Sequence, residues 1–244
     1  TLVWSDDFNG TAGTSPSSAK WNLIEGGHGW GNNELQSFTA RPQNVSLDGT
    51  GNLAMTALKE TYKGKDGYTR NYTSARLDTK GKFAFKYGRL EARMKIPAGK
   101  GLWPAFWAMG DDVWDIGWPN CGEIDVMEVL GDTSNVVHGT LHGPMGFTQT
   151  AWAKGKDHTV PNSLSDGFHT YGVTWGEDYV EWTLDGTLYS RINKADLPAG
   201  ARWAFDHDFH ALLSFSVGGN WPGSPDANTA FPAKVLVDWV RVYQ

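Results

Sequence analysis

The chain alternates apolar and polar residues over most of its length. In 88–96, Leu90, Ala92, Met94 and Ile96 fall on one side, and Arg89, Glu91, Arg93 and Lys95 on the other. That is the two-residue period of a half-buried strand, with the charges on a solvated outer face. The closing stretch, 235–243, repeats the pattern, and Trp175, Trp182 and Trp239 sit in such patterns as core residues. Runs rich in β-branched and aromatic residues, bounded by Gly, Asn and Asp, predict strands at 2–8, 44–47, 52–58, 73–79, 82–96, 102–109 and 123–129. Others are predicted at 136–141, 168–175, 179–184, 187–192, 210–217 and 234–243. Asp185-Gly186 joins two of these and predicts a type I′ hairpin, since both central residues of that turn need positive φ. Residues 175–179 predict a slightly longer turn, and only 193–197 reads as a short helix. Segments 61–71 and 147–165 read as surface loops.

Many evenly spaced strands with almost no helix predict an all-β fold, either a two-sheet sandwich or a closed barrel. The Ser/Thr/Gly-rich stretch 11–18 is too short and too near the terminus to divide domains, and no repeat is visible. Residues 1–244 therefore read as one domain.

Composition narrows the function. With 21 basic and 27 acidic residues the net charge is −6, which gives no basic footprint for nucleic acid. No apolar run approaches the roughly 20 residues of a membrane span. Cys121 is the single cysteine, so no intramolecular disulfide can form. Thr1 in place of an initiator Met suggests either a trimmed chain or a mature protein whose signal peptide has been removed. The most informative counts are 13 Trp and 30 Gly. Trp30, Trp103, Trp107, Trp114, Trp118 and Trp221 lie in segments also rich in Gly, Asn and Pro. Flat aromatic faces in polar loops suit stacking against sugar rings, whose axial C–H groups meet the electron-rich ring face.

The candidate chemistry lies in 119–131. Glu123, Asp125 and Glu128 interrupt an apolar, strand-forming run closed by Gly122 and Gly131. Glu123 and Asp125 share a face, but Glu128, an odd number of residues from Glu123, would point the other way in a regular strand. One extra residue at Val126-Met127, a β-bulge, returns it to their face. The two glutamates would then stand roughly 13 Å apart at Cα, at about 3.3 Å per step. Two carboxyls on one face suit glycoside hydrolysis, with separations of about 5–5.5 Å for retention and about 6.5–9.5 Å for inversion. The sequence does not choose between these. Mutual repulsion among three carboxylates would keep one protonated near neutral pH. A metal held by Glu123, Asp125, Glu128, His138 and His142 is a weaker alternative, because the two His lie four apart on a strand.

Gly122-Glu123-Ile124-Asp125-Val126-Met127-Glu128 resembles the active-site strand of glycoside hydrolase family 16, in its bacterial laminarinase branch of endo-β-1,3-glucanases. That branch has Glu-x-Asp-x-x-Glu; the related lichenases have one residue fewer. Similar in order are 4–10, 72–76, 88–93, 103–107, 138–142, 218–223 and 238–243. The resemblance implies a β-jelly-roll sandwich with a cleft on its concave face, and a retaining mechanism without a catalytic cofactor. It implies Glu123 as nucleophile, Glu128 as acid/base, Asp125 between them, and His142 beside Glu128. Trp103, Trp107 and Trp118 would be stacking or packing platforms, Asn32 and Arg76 would donate hydrogen bonds to sugar hydroxyls, and Trp221 would sit at the rim. A structural calcium is implied on the convex face, with Asp7, Gly49 and Asp238 as ligands and water completing its shell. The expected activity is secreted, monomeric endo-hydrolysis of laminarin-like β-glucan. A mixed-linkage β-1,3-1,4-glucanase is the nearer alternative. A non-catalytic glucan-binding protein is the farther one, although such relatives lose one or both glutamates.

Overall fold

A computed structural model describes residues 1–244. The strands, in chain order, begin with β1 (Leu2–Asp6), β2 (Asn22–Leu23), β3 (Gln36–Phe38), β4 (Val45–Leu47), β5 (Leu53–Lys63) and β6 (Thr69–Ser74). Then come β7 (Arg76–Asp78), β8 (Gly88–Lys95), β9 (Leu102–Gly110), β10 (Glu123–Glu128), β11 (Val136–Pro144) and β12 (Ala151–Thr159). The last are β13 (His169–Trp175), β14 (Tyr179–Leu184), β15 (Thr187–Asn193), β16 (Phe209–Val217) and β17 (Ala233–Tyr243). One sheet runs β12-β11-β10-β9-β16-β7-β2. The other runs β15-β14-β13-β8-β17-β5-β6-β3, with β1 on β17 and β4 on β5. The two sheets form an open jelly-roll sandwich rather than a closed barrel. No helix is long and apolar enough to cross a membrane.

The strand period decides what the seven-stranded sheet buries. On β9, Leu102, Phe106 and Ala108 enter the core, while Trp103, Trp107 and Met109 look outward. On β16, Phe209, Ala211, Leu213, Phe215 and Val217 are fully buried, and Ser214 and Ser216 emerge on the other face. Apolar residues of both sheets interlock in one continuous core. Burial of these faces is the main force holding the layers together.

Several expectations are corrected. Segment 61–71 is the outer part of a β5–β6 hairpin, closed at its tip by Gly64 N–H donating to the Tyr68 carbonyl at 2.8 Å. Its exposed polar residues hide the strand period because this part projects beyond the core. Within 147–165, Ala151–Thr159 is the edge strand β12, which buries only Trp152. Its lysines, Lys154 and Lys156, are typical of an edge protected against further pairing. The run 82–96 becomes regular only at Gly88. Its outward Glu91 is buried rather than solvated, and pairs with Arg89. Trp239 leaves the core because the β17–β8 register slips at Asp238. Val237 and Val240 both turn inward, and Trp239 lies half-buried under the Arg241 guanidinium, 4.4 Å from its ring. The short helix shrinks to a 3-10 turn at Lys194–Asp196, closed by reciprocal Asn193 and Asp196 hydrogen bonds. Asp185 and Gly186 have φ of 50° and 78°, as the hairpin reading requires.

Candidate active site

The bulge in β10 is present. Against β11, Asp125 pairs with Thr140 and Glu128 with His138, so Val126 and Met127 together face Gly139. Against β9, Asp125 pairs with Trp107 and Met127 with Phe106, leaving Val126 as the extra residue. A bulge breaks the ladder and strands backbone polar groups, which are costly to bury unpaired. Here the fully buried Trp182 of β14 donates its indole N–H to the Asp125 carbonyl at 2.8 Å. The missing side chain of Gly139 makes room: a Cβ there would stand 2.5 Å from Trp182 Cδ1. The result is that Glu123, Asp125 and Glu128 all enter one cleft of about 740 Å³ on the outer face of the seven-stranded sheet.

Each carboxylate is held differently. Glu123, half-buried, accepts a hydrogen bond from Trp118 Nε1 at 2.8 Å. Glu128, buried, accepts one from Trp103 Nε1 at 3.0 Å. Asp125 is buried between them, its carboxyl interacting with both glutamates. Burial pushes the Glu128 carboxyl well above its ordinary range, and the charges of Asp125 and Glu123 push it further. Burial, then Glu123, raises Asp125 as well. The three therefore do not all ionise together.

Asn32, Arg76, Trp103, Trp107, Trp118, His142 and Trp221 all line this cleft. Arg76 lies between two indoles, 4.6 Å from the Trp30 ring and 4.9 Å from Trp107. Burial lowers its pKa, and the Glu34, Asp78 and Glu123 charges oppose that. Trp107 Nε1 donates to Ser214 Oγ at 3.1 Å, and Trp221 meets Trp103 edge to face at 5.7 Å. Asn32 is spoken for in part, donating to Glu34 at 2.9 Å. His142 is near enough to Glu128 for its charge to act there, as expected, but its close partner is Asp125. It pairs across the ladder with Glu123, and its Nε2 lies 2.9 Å from Asp125 Oδ2, whereas His138 is the residue opposite Glu128. Ligand atoms of Glu123, Asp125 and His142 lie within 4.8 Å of one another, a group that excludes Glu128 and His138.

Residues missed from sequence include His28, Glu34, Met109, Thr140, Ser214 and Ser216. The last four could have been found, since each lies an even number of residues from a recognised cleft residue or its partner on an adjacent strand. Glu34 offered only a weak signal, a lone carboxylate in a Gly- and Asn-rich stretch. It is buried, and holds Asn32 and Gln36 through its two oxygens.

Away from the cleft, the Asp7 carboxylate accepts from Arg241 at 2.9 Å and Asp238 Oδ2 from Arg93 at 2.6 Å. The carbonyls of Asp7 and Gly49 accept no hydrogen bond from the chain.

Comparison with known proteins gives the same answer over the whole chain. The β-glucanase of Rhodothermus marinus is 41% identical across all of this chain and 85% of its own length. The glucan endo-1,3-β-glucosidase A1 of Niallia circulans is 35% identical across all of this chain, which spans 38% of that protein. The crystal structure of the endo-β-1,3-glucanase from Pyrococcus furiosus superposes with a TM-score of 0.91 at 41% identity, covering 100% of this chain and 94% of the other. The model of glycosyl hydrolases family 16 matches residues 32–241, which contain the bulged strand, its three carboxylates and every indole of the cleft except Trp30. With the motif, the fold and the sequence likeness in agreement, the chain belongs to glycosyl hydrolase family 16.

Proposed function

We infer that the chain is a retaining endo-β-1,3-glucanase that cleaves internal bonds of laminarin-like glucans by double displacement. The observation that carries this reading is the bulge at Val126, which turns Glu128 to the face of Glu123 and Asp125 in a tryptophan-lined cleft. Glu128, kept protonated by burial, gives its proton to the glycosidic oxygen as the bond from that oxygen to C1 breaks. A Glu123 oxygen bonds C1 from the opposite face, giving a glycosyl ester. Glu128, now a carboxylate, takes a proton from water. The water oxygen bonds C1 and the Glu123 oxygen leaves. Two inversions restore the β configuration. When protonated, Asp125 would donate to Glu123, orienting the nucleophile and taking up part of its charge. Trp118 and Trp103 hold the two glutamates by their indole N–H groups.

Proton NMR of the anomeric signals during digestion tests this, with laminarin and barley mixed-linkage glucan in parallel. The β-anomer is expected first, on laminarin. An α-anomer first means inversion, cleavage of barley glucan alone means a mixed-linkage enzyme, and no cleavage of either means a binding protein. A polymer too large to cross a membrane supports action outside the cell.

The calcium expectation is compatible in donor type with the free carbonyls of Asp7 and Gly49 and with the Asp238 oxygen that Arg93 leaves open. Such an ion would join both chain ends and take no part in the chemistry. Melting in excess calcium against excess chelator measures it. Binding at 100 times the dissociation constant adds about 2.7 kcal/mol, or roughly 5–10 °C for a domain of this size. Equal melting temperatures would remove calcium from the reading.

A further inference from the structure

One wall of the cleft has almost no regular structure. Residues 25–34 make a single isolated bridge, at Gly26, and five of them, Gly26, Gly29, Trp30, Gly31 and Asn33, have positive φ. A segment of this kind is entropically expensive to fix, so its anchors decide where its side chains sit. Trp30 takes two local anchors from the residues flanking Gly27. Its indole N–H donates to the Gly26 carbonyl at 3.2 Å, and its backbone N–H to His28 Nδ1 at 3.3 Å.

Gly27 itself is gripped from outside. Asp66, at the tip of the β5–β6 hairpin, accepts the Gly27 N–H at 2.7 Å. Arg70, on β6, donates from Nε to the Gly27 carbonyl at 2.6 Å. The approach is close: a Cβ at Gly27 would stand 3.1 Å from Arg70 Cγ and from Ser37 Oγ, so a larger residue would make these neighbours give by a few tenths of an ångström. Asp66 is fixed in turn by the Tyr68 N–H at 3.2 Å, and the Arg70 guanidinium lies 5.5 Å from the Tyr68 ring centre. The Gly27 N–H also holds the Asp66 carboxyl below its ordinary range, so the acceptor is charged through the neutral range.

We propose that Asp66 and Arg70 are positioning residues for glucan binding: by holding both polar groups of Gly27, they keep Trp30 stacked on Arg76 in the cleft. The proposal rests on the glucanase reading and deepens it. Neither side chain lines the cleft or touches the three carboxylates. They act through a cleft-lining indole rather than on the three carboxylates, and therefore on KM more than on kcat.

The test compares Asp66→Ala, Asp66→Asn, Arg70→Ala and Trp30→Ala in the whole chain, by steady-state kinetics on laminarin and by amide hydrogen exchange. A lost hydrogen bond to a charged group corresponds to roughly a tenfold change. Asp66→Ala and Arg70→Ala are expected to raise KM about tenfold with kcat within about twofold. Asp66→Asn, whose amide oxygen still accepts the Gly27 N–H, is expected to restore most of the loss. The double variant of Asp66 and Trp30 to Ala should be little worse than Trp30→Ala alone, because both changes act through one indole. Exchange should quicken in 25–34 in Asp66→Ala and not in Asp66→Asn. An unchanged KM, a fall in kcat alone, or additive losses in the double variant would overturn the proposal. So would unchanged exchange in 25–34, and this readout decides the matter even if the wild-type chain cleaves no glucan, which would instead sink the glucanase reading.

Discussion

Glu123→Ala is expected to lose glucan hydrolysis by a factor on the order of 10⁴ to 10⁶, the scale seen when a covalent nucleophile is removed. Binding should survive, because Trp103, Trp107 and Arg76 reach the cleft from β9 and β7 and do not depend on Glu123. Truncation leaves a space beside the Trp118 N–H, which had donated to the carboxylate. A small anion such as azide fits there. With a β-glucoside carrying a good aryloxide leaving group, azide should bond C1 from the face Glu123 occupied as the aryloxide departs, giving the α-glucosyl azide. Calorimetry with a laminari-oligosaccharide measures the binding, and NMR of the azide product gives its configuration. Undiminished hydrolysis by the folded variant, or a β-azide, would take the nucleophile role from Glu123.

Glu128→Gln is expected to cost about 10²–10⁴ in glucan hydrolysis, the usual contribution of a positioned proton donor. The loss should shrink for the first step with an aryl leaving group that departs without protonation. Its pH signature is more telling. The wild-type free enzyme is active with Glu128 protonated, so kcat/KM should fall as pH rises through the raised pKa. The amide does not titrate, and that alkaline limb should disappear. Stability should fall in the same direction of pH. Between the unfolded and the raised folded pKa the native state holds a proton the unfolded state has lost, so stability declines as pH rises across that window. Glu128→Gln removes the penalty and should melt higher than wild type at pH 7–8, by about 2–4 °C for each kcal/mol relieved. An unaltered alkaline limb, with equal losses on both substrates, would show that Glu128 is not the proton donor.

Much of the site was legible because its logic is local. The parity of Glu123, Asp125 and Glu128 demanded a bulge, and the pairing on both sides of β10 contains it. Alternation in β9 placed Trp103 and Trp107 on one face for the same reason. What stayed hidden depends on contacts distant in sequence. Nothing near His142 indicates that its ring would reach Asp125, because that follows from cross-strand register. The Asp238 bulge was missed because Trp239 continues the parity of Val235 and Val237; the break shows only in Val240 and Val242, on the other parity, and the extra residue moved Trp239 out of the core. The β5–β6 hairpin tip and β12 read as loops because strands with little buried surface carry no hydrophobic period. Glu34 joined the cleft through folding of an irregular segment, which no periodicity describes.

The hydrogen bond from Trp182 to the Asp125 carbonyl makes the catalytic strand answerable to the opposite layer. A core indole is usually interchangeable with other bulk of similar volume. This one acts as an alignment pin: β14 and β10 cannot slip past each other without stranding a buried carbonyl at the residue between the two glutamates. Repacking the interior with volume-matched apolar residues could therefore preserve a compact, stable sandwich and still put its chemistry out of true. The tolerance of this enzyme to interior redesign is set by one N–H rather than by how well the space is filled.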